Sequence, residues 1–344
     1  MILSRINILS VFCLLSLLAC EREDQESIPI QTLEEINTSN PQGFPELIAP
    51  EDNRYTDERW SLGKKLFFEK KLSKDGQISC ASCHQASFAF ADQVAFSVGA
   101  FGRSGTRNAP SLANVGYHPY LMREGGVPTL EMQALVPIQE ENEFDHNIVK
   151  ISESLSTDQS YRRMSQAAYE RDIDAYVITR ALAVFQRSII SGNSRFDRYQ
   201  YQGIPSALSN NERIGMDLFF SNRTNCSSCH GGFNFSNYSF QNNGLDSAYA
   251  DVGRFRLTND SNDLSLFKVP SLRNVSITPP YMHDGRFHSL SEVVEHYDKG
   301  GRPHPNKSQL IKPLFLNNKE KAALIAFLHT LTDHEFINDP RWRP

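Results

Sequence analysis

The pentapeptide Cys80-Ala81-Ser82-Cys83-His84 returns later in the chain as Cys226-Ser227-Ser228-Cys229-His230. Cys-x-x-Cys-His is the attachment motif for c-type haem. Each thiol adds across one vinyl group of the porphyrin, and the two-residue spacer matches the separation of those vinyls. The histidine that follows reaches the iron from one face as proximal ligand. A zinc site or a thioredoxin-like redox pair would leave the adjacent histidine unexplained in both copies. Two covalent haems, held by Cys80, Cys83 and His84 and by Cys226, Cys229 and His230, are therefore expected, and the rest of the chain must be arranged around them.

The surroundings repeat as well. Leu62-Gly63-Lys64-Lys65-Leu66-Phe67-Phe68 precedes the first motif and Ile214-Gly215-Met216-Asp217-Leu218-Phe219-Phe220 the second. Apolar residues four apart make both segments helical, and Ser209 with Glu212 forms a capping box for the second. Downstream, Ala109-Pro110-Ser111-Leu112-Ala113-Asn114-Val115 answers Val269-Pro270-Ser271-Leu272-Arg273-Asn274-Val275. Pro119-Tyr120 and Glu124-Gly125 answer Pro280-Tyr281 and Asp284-Gly285. Ile173, Tyr176, Val177, Ala181, Val184 and Phe185 trace one helical face, as do Ala323, Leu324, Phe327, Leu328 and Leu331 after an Asn317 cap. Ser191 to Pro205 reads as a linker. The expected fold is all-α: two tandem cytochrome c-like domains, at 51–205 and 206–344, with long loops around the haems.

The chain of 344 residues is long enough for two domains of about 150 residues. Its net charge of −5, with both signs mixed, excludes a basic nucleic-acid surface. Residues 1–20 read as a signal peptide: Arg5 is the positive start, and Ile8 to Leu18 is an apolar stretch too short to span a bilayer. The ending Leu17-Leu18-Ala19-Cys20 resembles a bacterial lipobox, which implies cleavage before Cys20, lipid on its thiol, and an exported protein on the periplasmic side held to a membrane by that anchor alone. Residues 21–50 read as a flexible tether. Of the six cysteines, Cys13 leaves with the signal, Cys20 takes lipid and four hold haem, so no disulfide is expected.

The sixth ligand decides what each haem does: filled, it moves electrons; open, it activates a small molecule. For the second haem the residues alone offer Met282, or Tyr297 on a helix capped by Ser289 and Glu292 with Leu290, Val293 and Val294 on the same face.

These paired motifs, with Arg107-Asn108-Ala109-Pro110, the stretch from Gln133 to Glu143, and Pro280-Tyr281-Met282-His283-Asp284-Gly285, resemble the bacterial di-haem cytochrome c peroxidase/MauG family from about Arg54 to Thr332. The resemblance implies that the N-terminal haem reacts with hydrogen peroxide while the C-terminal haem transfers electrons. It assigns Gln133, Pro137 and Glu143 to the distal pocket of the first haem. A carboxylate there can take a proton from peroxide and return it to the departing oxygen, and Gln133 can orient peroxide by hydrogen bonding. The resemblance also places Tyr297, with Met282 as the alternative, at the sixth position of the second haem; peroxidase members carry Met there and MauG-like members Tyr. It further implies a Ca2+ between the domains, held by the Asn108 side chain and the carbonyls of Thr278 and Pro280, all hard oxygen donors.

Two departures stand out. The histidine that blocks the first haem of some peroxidases corresponds to Ala100, which cannot ligate iron, so that haem is expected to be open without prior reduction. The tryptophan between the haems corresponds to Arg123, which leaves the electron relay to another aromatic such as Tyr120. His283 is the remaining histidine expected near a pocket. The function implied is a di-haem peroxidase fed by a small cytochrome c or cupredoxin. The alternatives are a MauG-like enzyme that oxidises a partner protein and, in another class, a non-catalytic di-haem electron carrier. Family members are often dimers, so a homodimer is compatible with the resemblance.

Overall fold

A computed structural model describes residues 40–344. The expected signal, Cys13, Cys20 and most of the tether therefore lie outside the described residues. Helix α1 (Asp57–Phe67) starts where the Thr56 side chain accepts the Arg59 N–H, and it buries Leu62, Leu66 and Phe67. A single turn, α2 (Cys80–Cys83), carries the first haem motif. Two short helices follow, α3 (Leu130–Gln133) and α4 (Leu135–Gln139); after two further helices, at Ile148–Ser156 and Gln159–Tyr169, comes a long buried one, α5 (Ala175–Arg187). The α1–α5 crossing is close because residue 63 is glycine: a Cβ there would lie 2.0 Å from the Ala181 carbonyl oxygen.

The second half repeats this plan. Helix α6 (Asn210–Phe219) begins at the expected Ser209/Glu212 capping box, and α7 (Cys226–Cys229) carries the second haem motif. Helix α8 (Leu290–Asp298) has the Ser289/Glu292 box and α9 (Asn318–His329) the Asn317 cap. Gly215 meets α9 as Gly63 meets α5, since a Cβ there would sit 1.9 Å from the Ala323 carbonyl oxygen. Ile214, expected on the buried face of α6, is 47% exposed; Gly215 and Phe219 are buried instead. The helix is turned so that its glycine, which alone permits the close crossing, faces α9.

Strand is minimal. Strands β1 (Phe240–Gln241) and β2 (Phe267–Lys268) pair antiparallel, Phe240 opposite Lys268. Two apolar cores are distinct, one around Leu62, Phe67, Phe90 and Phe185, the other around Phe219, Phe235, Leu324 and Phe327. The tail departs from sequence order: Phe336 and Trp342 return to the first core, where the Trp342 ring packs 5.6 Å from Phe90.

The stretch 191–205 is more than a linker. It contains a helix, Arg195–Gln200, fixed by a Ser194/Asp197 capping box, and Phe196 packs into the second core. Asp197, wholly buried, pairs with buried Arg273 at 2.8 Å. The halves also exchange main-chain bonds at equivalent places: Asn108 N donates to His283 O at 2.9 Å, and Lys268 N to Arg123 O at 2.7 Å. No helix among the described residues is long and apolar enough to cross a membrane.

Candidate functional site

A cavity of about 620 Å3 is lined by both Cys-x-x-Cys-His motifs. Cys80, Cys83, Cys226 and Cys229 are all free of disulfides. Burial pushes the Cys80 thiol up to about 12 and that of Cys83 to about 11, so both stand as neutral thiols facing the cavity. His84 Nδ1 lies 2.8 Å from the Phe90 carbonyl oxygen and His230 Nδ1 lies 3.1 Å from that of Phe235. A carbonyl only accepts, so each Nδ1 carries the hydrogen and each Nε2 keeps its lone pair for iron. Burial lowers the pKa of both histidines, which keeps them neutral, as ligands must be. His118 Nε2, buried and without a protein partner, also lines this cavity and offers a polar contact to a bound group. The chain thus fits two covalent haems in donor set and tautomer.

On the first side, Thr129 caps α3 by accepting the Met132 N–H, and Gln133, Pro137 and Glu143 all line the cavity that His84 lines. The acidic run from Glu140 to Glu143 is therefore not all solvated surface. Glu143 is exposed and lines the cavity, and desolvation by the surrounding protein, with the nearby Glu140 charge, pushes its pKa up to about 7. Its main chain is held: the Ala100 N–H donates to Glu143 O at 2.7 Å. Ala100 is wholly buried, and a Cβ on Gly99 would come within 2.1 Å of Asn142 O, so this loop is pressed against the distal segment.

On the second side, Tyr297 of α8 and Met282 both line the cavity, and Asn243 stands between them. Its Nδ2 lies 3.2 Å from Met282 Sδ, and the same side chain is near enough to Tyr297 to lower the phenol's pKa. Burial raises the Tyr297 phenol to about 12, with the Asn243 bond opposing. His296 Nε2, 3.0 Å from Asn243 O, steadies the loop that carries this amide. Asn243 escaped the sequence reading: it lies in the polar run Gln241-Asn242-Asn243-Gly244, where an amide is unremarked.

Between the halves, Arg123 lines the cavity at the position equivalent to His283, and His283 stacks on Phe267 with ring centroids 4.2 Å apart. Tyr120 does not take the place expected for a relay. It is 47% exposed, packs beside Phe240, and is not among the residues lining the cavity. The Asn108 side chain, Thr278 and Pro280 do line it, but Asn108 is already engaged by Arg123. A further network went unread in the sequence: Arg107 bridges Glu124 at 2.5 Å and Asp251 at 2.7 Å, and Arg256 also pairs with Glu124. Ion pairs between residues this far apart in the chain leave no local signal.

The sequence and the fold are shared with known proteins. Residues 57–204 match the family di-haem cytochrome c peroxidase, and residues 214–332 match cytochrome c. The methylamine utilization protein MauG of Methylorubrum extorquens is 36% identical over 287 residues, 82% of this chain and 80% of that one. The chain belongs to the di-haem cytochrome c peroxidase family. Cytochrome-c peroxidase IdrP1 of a Pseudomonas species is 32% identical, with 85% of each chain covered. Among solved structures, a MauG-like protein associated with microbial copper homeostasis superposes with a TM-score of 0.84 at 35% identity, covering 88% of this chain and 97% of that one. Both MauG and peroxidase names thus occur among relatives of similar identity. This family member is a peroxidase-type oxidoreductase built on two c-type haem sites.

Proposed function

We propose that the first half, 51–205, is the peroxidatic region and that the second, 206–344, supplies electrons to it, with hydrogen peroxide reduced to water at the N-terminal site. The observation that carries this reading is Glu143: a carboxyl on the same cavity as His84, with its main chain locked to Ala100 and its pKa lifted to about 7. When bound, the haem supplies an iron that accepts peroxide and passes it electrons. Glu143 as carboxylate would take a proton from peroxide and return it to the departing oxygen, which leaves as water. Two electrons and two further protons complete the second water. Gln133 holds the far oxygen by hydrogen bonding, and Pro137, lacking an N–H, keeps that wall from competing for it. Ala100 offers no ligand to the metal, so no blocking group has to leave before peroxide enters.

Tyr297, which lines the cavity, would serve as sixth ligand of the second haem, with Met282 as a packing residue near it. A phenolate is a hard anionic ligand that favours ferric and higher states. A tyrosine at that position favours a second reading within the family: oxidation of a partner protein, in place of turnover fed by a small cytochrome c or cupredoxin. Steady-state consumption of peroxide with a reduced small cytochrome separates the two, because only the scavenging reading sustains it. The export signal and lipid at Cys20 remain part of the proposal; intact mass of the membrane-extracted chain checks them, since a chain that starts before Cys20 or carries no acyl mass refutes the anchor.

The deciding experiment mixes the fully ferric two-haem protein with one equivalent of hydrogen peroxide in a stopped-flow spectrometer. A rapid Soret change without prior reduction is expected. A change that appears only after one-electron reduction refutes the open first site, and no change in either redox state refutes the enzyme reading at this site.

A further inference from the structure

The family resemblance leads one to expect a Ca2+ at Asn108, Thr278 and Pro280, and the side chains around Asn108 do not suit it. Asn108 is buried, and both ends of its carboxamide are used: Nδ2 donates to Val94 O at 3.1 Å, and Oδ1 accepts from Arg123 NH2 at 3.1 Å. The main-chain oxygen of the same residue accepts two more guanidinium N–H groups, from Arg123 Nε at 3.1 Å and from NH2 at 2.6 Å. One planar fork therefore grips both oxygens of Asn108, a geometry that guanidinium matches and a lysine ammonium does not.

The position matters as much as the bonds. Arg123 O receives the Lys268 N–H and Asn108 N donates to His283 O, so Arg123 and Asn108 lie on the seam where the halves exchange main-chain bonds. The neighbourhood is already rich in cations. Arg107 and Arg256 converge on Glu124, Arg254 donates to Glu124 O at 2.8 Å, and Lys268 Nζ donates to Tyr120 O at 2.5 Å. The acids within reach are committed: Glu124 to Arg107 and Arg256, Asp251 to Arg107, and Asp284 to Arg286. Among the described residues no group of three or more His, Cys, Asp or Glu side chains is placed to hold a metal. A divalent ion at Asn108 would meet a permanent positive charge in direct contact with its first ligand and no free carboxylate to offset it.

We propose that the Arg123 guanidinium takes the place of the interdomain calcium, so that this chain ties its two halves at Asn108 with a cation of its own and binds no calcium there. The seam is then indifferent to chelators, and the coupling between the two haem sites does not depend on the calcium supply outside the cell.

The test uses the full-length two-haem protein. After desalting, its calcium content is measured by atomic emission, CaCl2 is titrated into it by calorimetry, and Tm and the ferric absorption spectrum are recorded with and without EGTA. No bound calcium, no binding heat, and an unchanged Tm and spectrum are expected. Stoichiometric calcium in the wild-type protein overturns the proposal outright, whatever the variants do. Arg123→Gln frees both Asn108 oxygens and removes the charge, and it is expected to acquire stoichiometric calcium; a folded Arg123→Gln protein that takes up none overturns the substitution of one cation for the other. Should that variant not fold, Asn108→Asp serves instead. Arg123 would neutralise the new carboxylate and the variant stays calcium-free, whereas calcium uptake by Asn108→Asp overturns the proposal.

Discussion

The two halves share a scaffold and part company on the far side of each haem site. The shared parts agree to individual bonds. Ser111 Oγ donates to Ala89 O and Ser271 Oγ to Asn234 O, each just ahead of the carbonyl that holds the proximal histidine. Asn114 and Asn274 both adopt positive φ, at 62° and 59°, and both side-chain oxygens accept a backbone N–H, from Ser191 and Asp333. The differences are concentrated. The first half inserts α3, α4 and Glu143 over its site; the second presents Tyr297 from α8. The proximal scaffold is matched bond for bond in the two halves, and the segments that line the cavity opposite it are not. Function is thus read from the unmatched segments.

The largest way to break that contrast is at Glu143. Glu143→Gln keeps shape and removes the base, and the rate of the ferric protein with peroxide is expected to fall about 10²–10⁴-fold. In the wild type the carboxyl is pushed up to about 7 by burial, so it is protonated below that pH and the active carboxylate grows as pH rises. The rate should therefore climb roughly tenfold per pH unit well below 7 and level off above it, while Glu143→Gln stays flat. A wild-type profile flat from pH 5 to 8 would remove Glu143 from the reaction. The mirror experiment is at Tyr297. Tyr297→Phe should abolish the phenolate-to-iron absorption of the second haem and leave the first haem's peroxide reaction in place, whereas Met282→Leu should leave that absorption unchanged. Loss of the band in Met282→Leu alone would reverse the ligand assignment.

How much of this was legible beforehand follows the range of each interaction. The haem ligands could be read because covalent attachment demands contiguous residues. The helices could be read because apolar spacing and capping boxes span only a turn or two, as at Ser209 and Glu212. The fork of Arg123 on Asn108 could not, since nothing in the sequence around either residue says that the two side chains meet. Nor could the return of Phe336 and Trp342 to the first core, because an apolar tail residue does not announce which core it will join. Tyr120, offered as a relay in place of the tryptophan that Arg123 replaces, turns its ring to the surface. Local chemistry reads locally, and a seam between two halves is the least local part of the molecule.

The halves also differ in how they are stabilised, and this gives the smaller effects. Arg273 occupies the position of Ala113 in the first half, and its guanidinium meets Asp197 through two bonds, at 2.8 and 2.9 Å, with both side chains buried. Asp197→Asn leaves a buried cation without its partner and should destabilise the protein by about 3–5 kcal/mol in denaturant unfolding. Ala113, small and buried, has no such charge to strand. Where the scaffold is shared, by contrast, matched substitutions should cost alike. Gly63→Ala and Gly215→Ala each drive a methyl group to about 2 Å from a helix carbonyl oxygen, a contact the helices relieve only by moving apart. Each is expected to cost about 1–3 kcal/mol. Because α1 packs on α5 and α6 on α9 through equivalent residues, the two losses should be of similar size. A much larger loss at one glycine would mean that the equivalence of the two crossings, visible in the backbone, does not extend to how each half yields to strain.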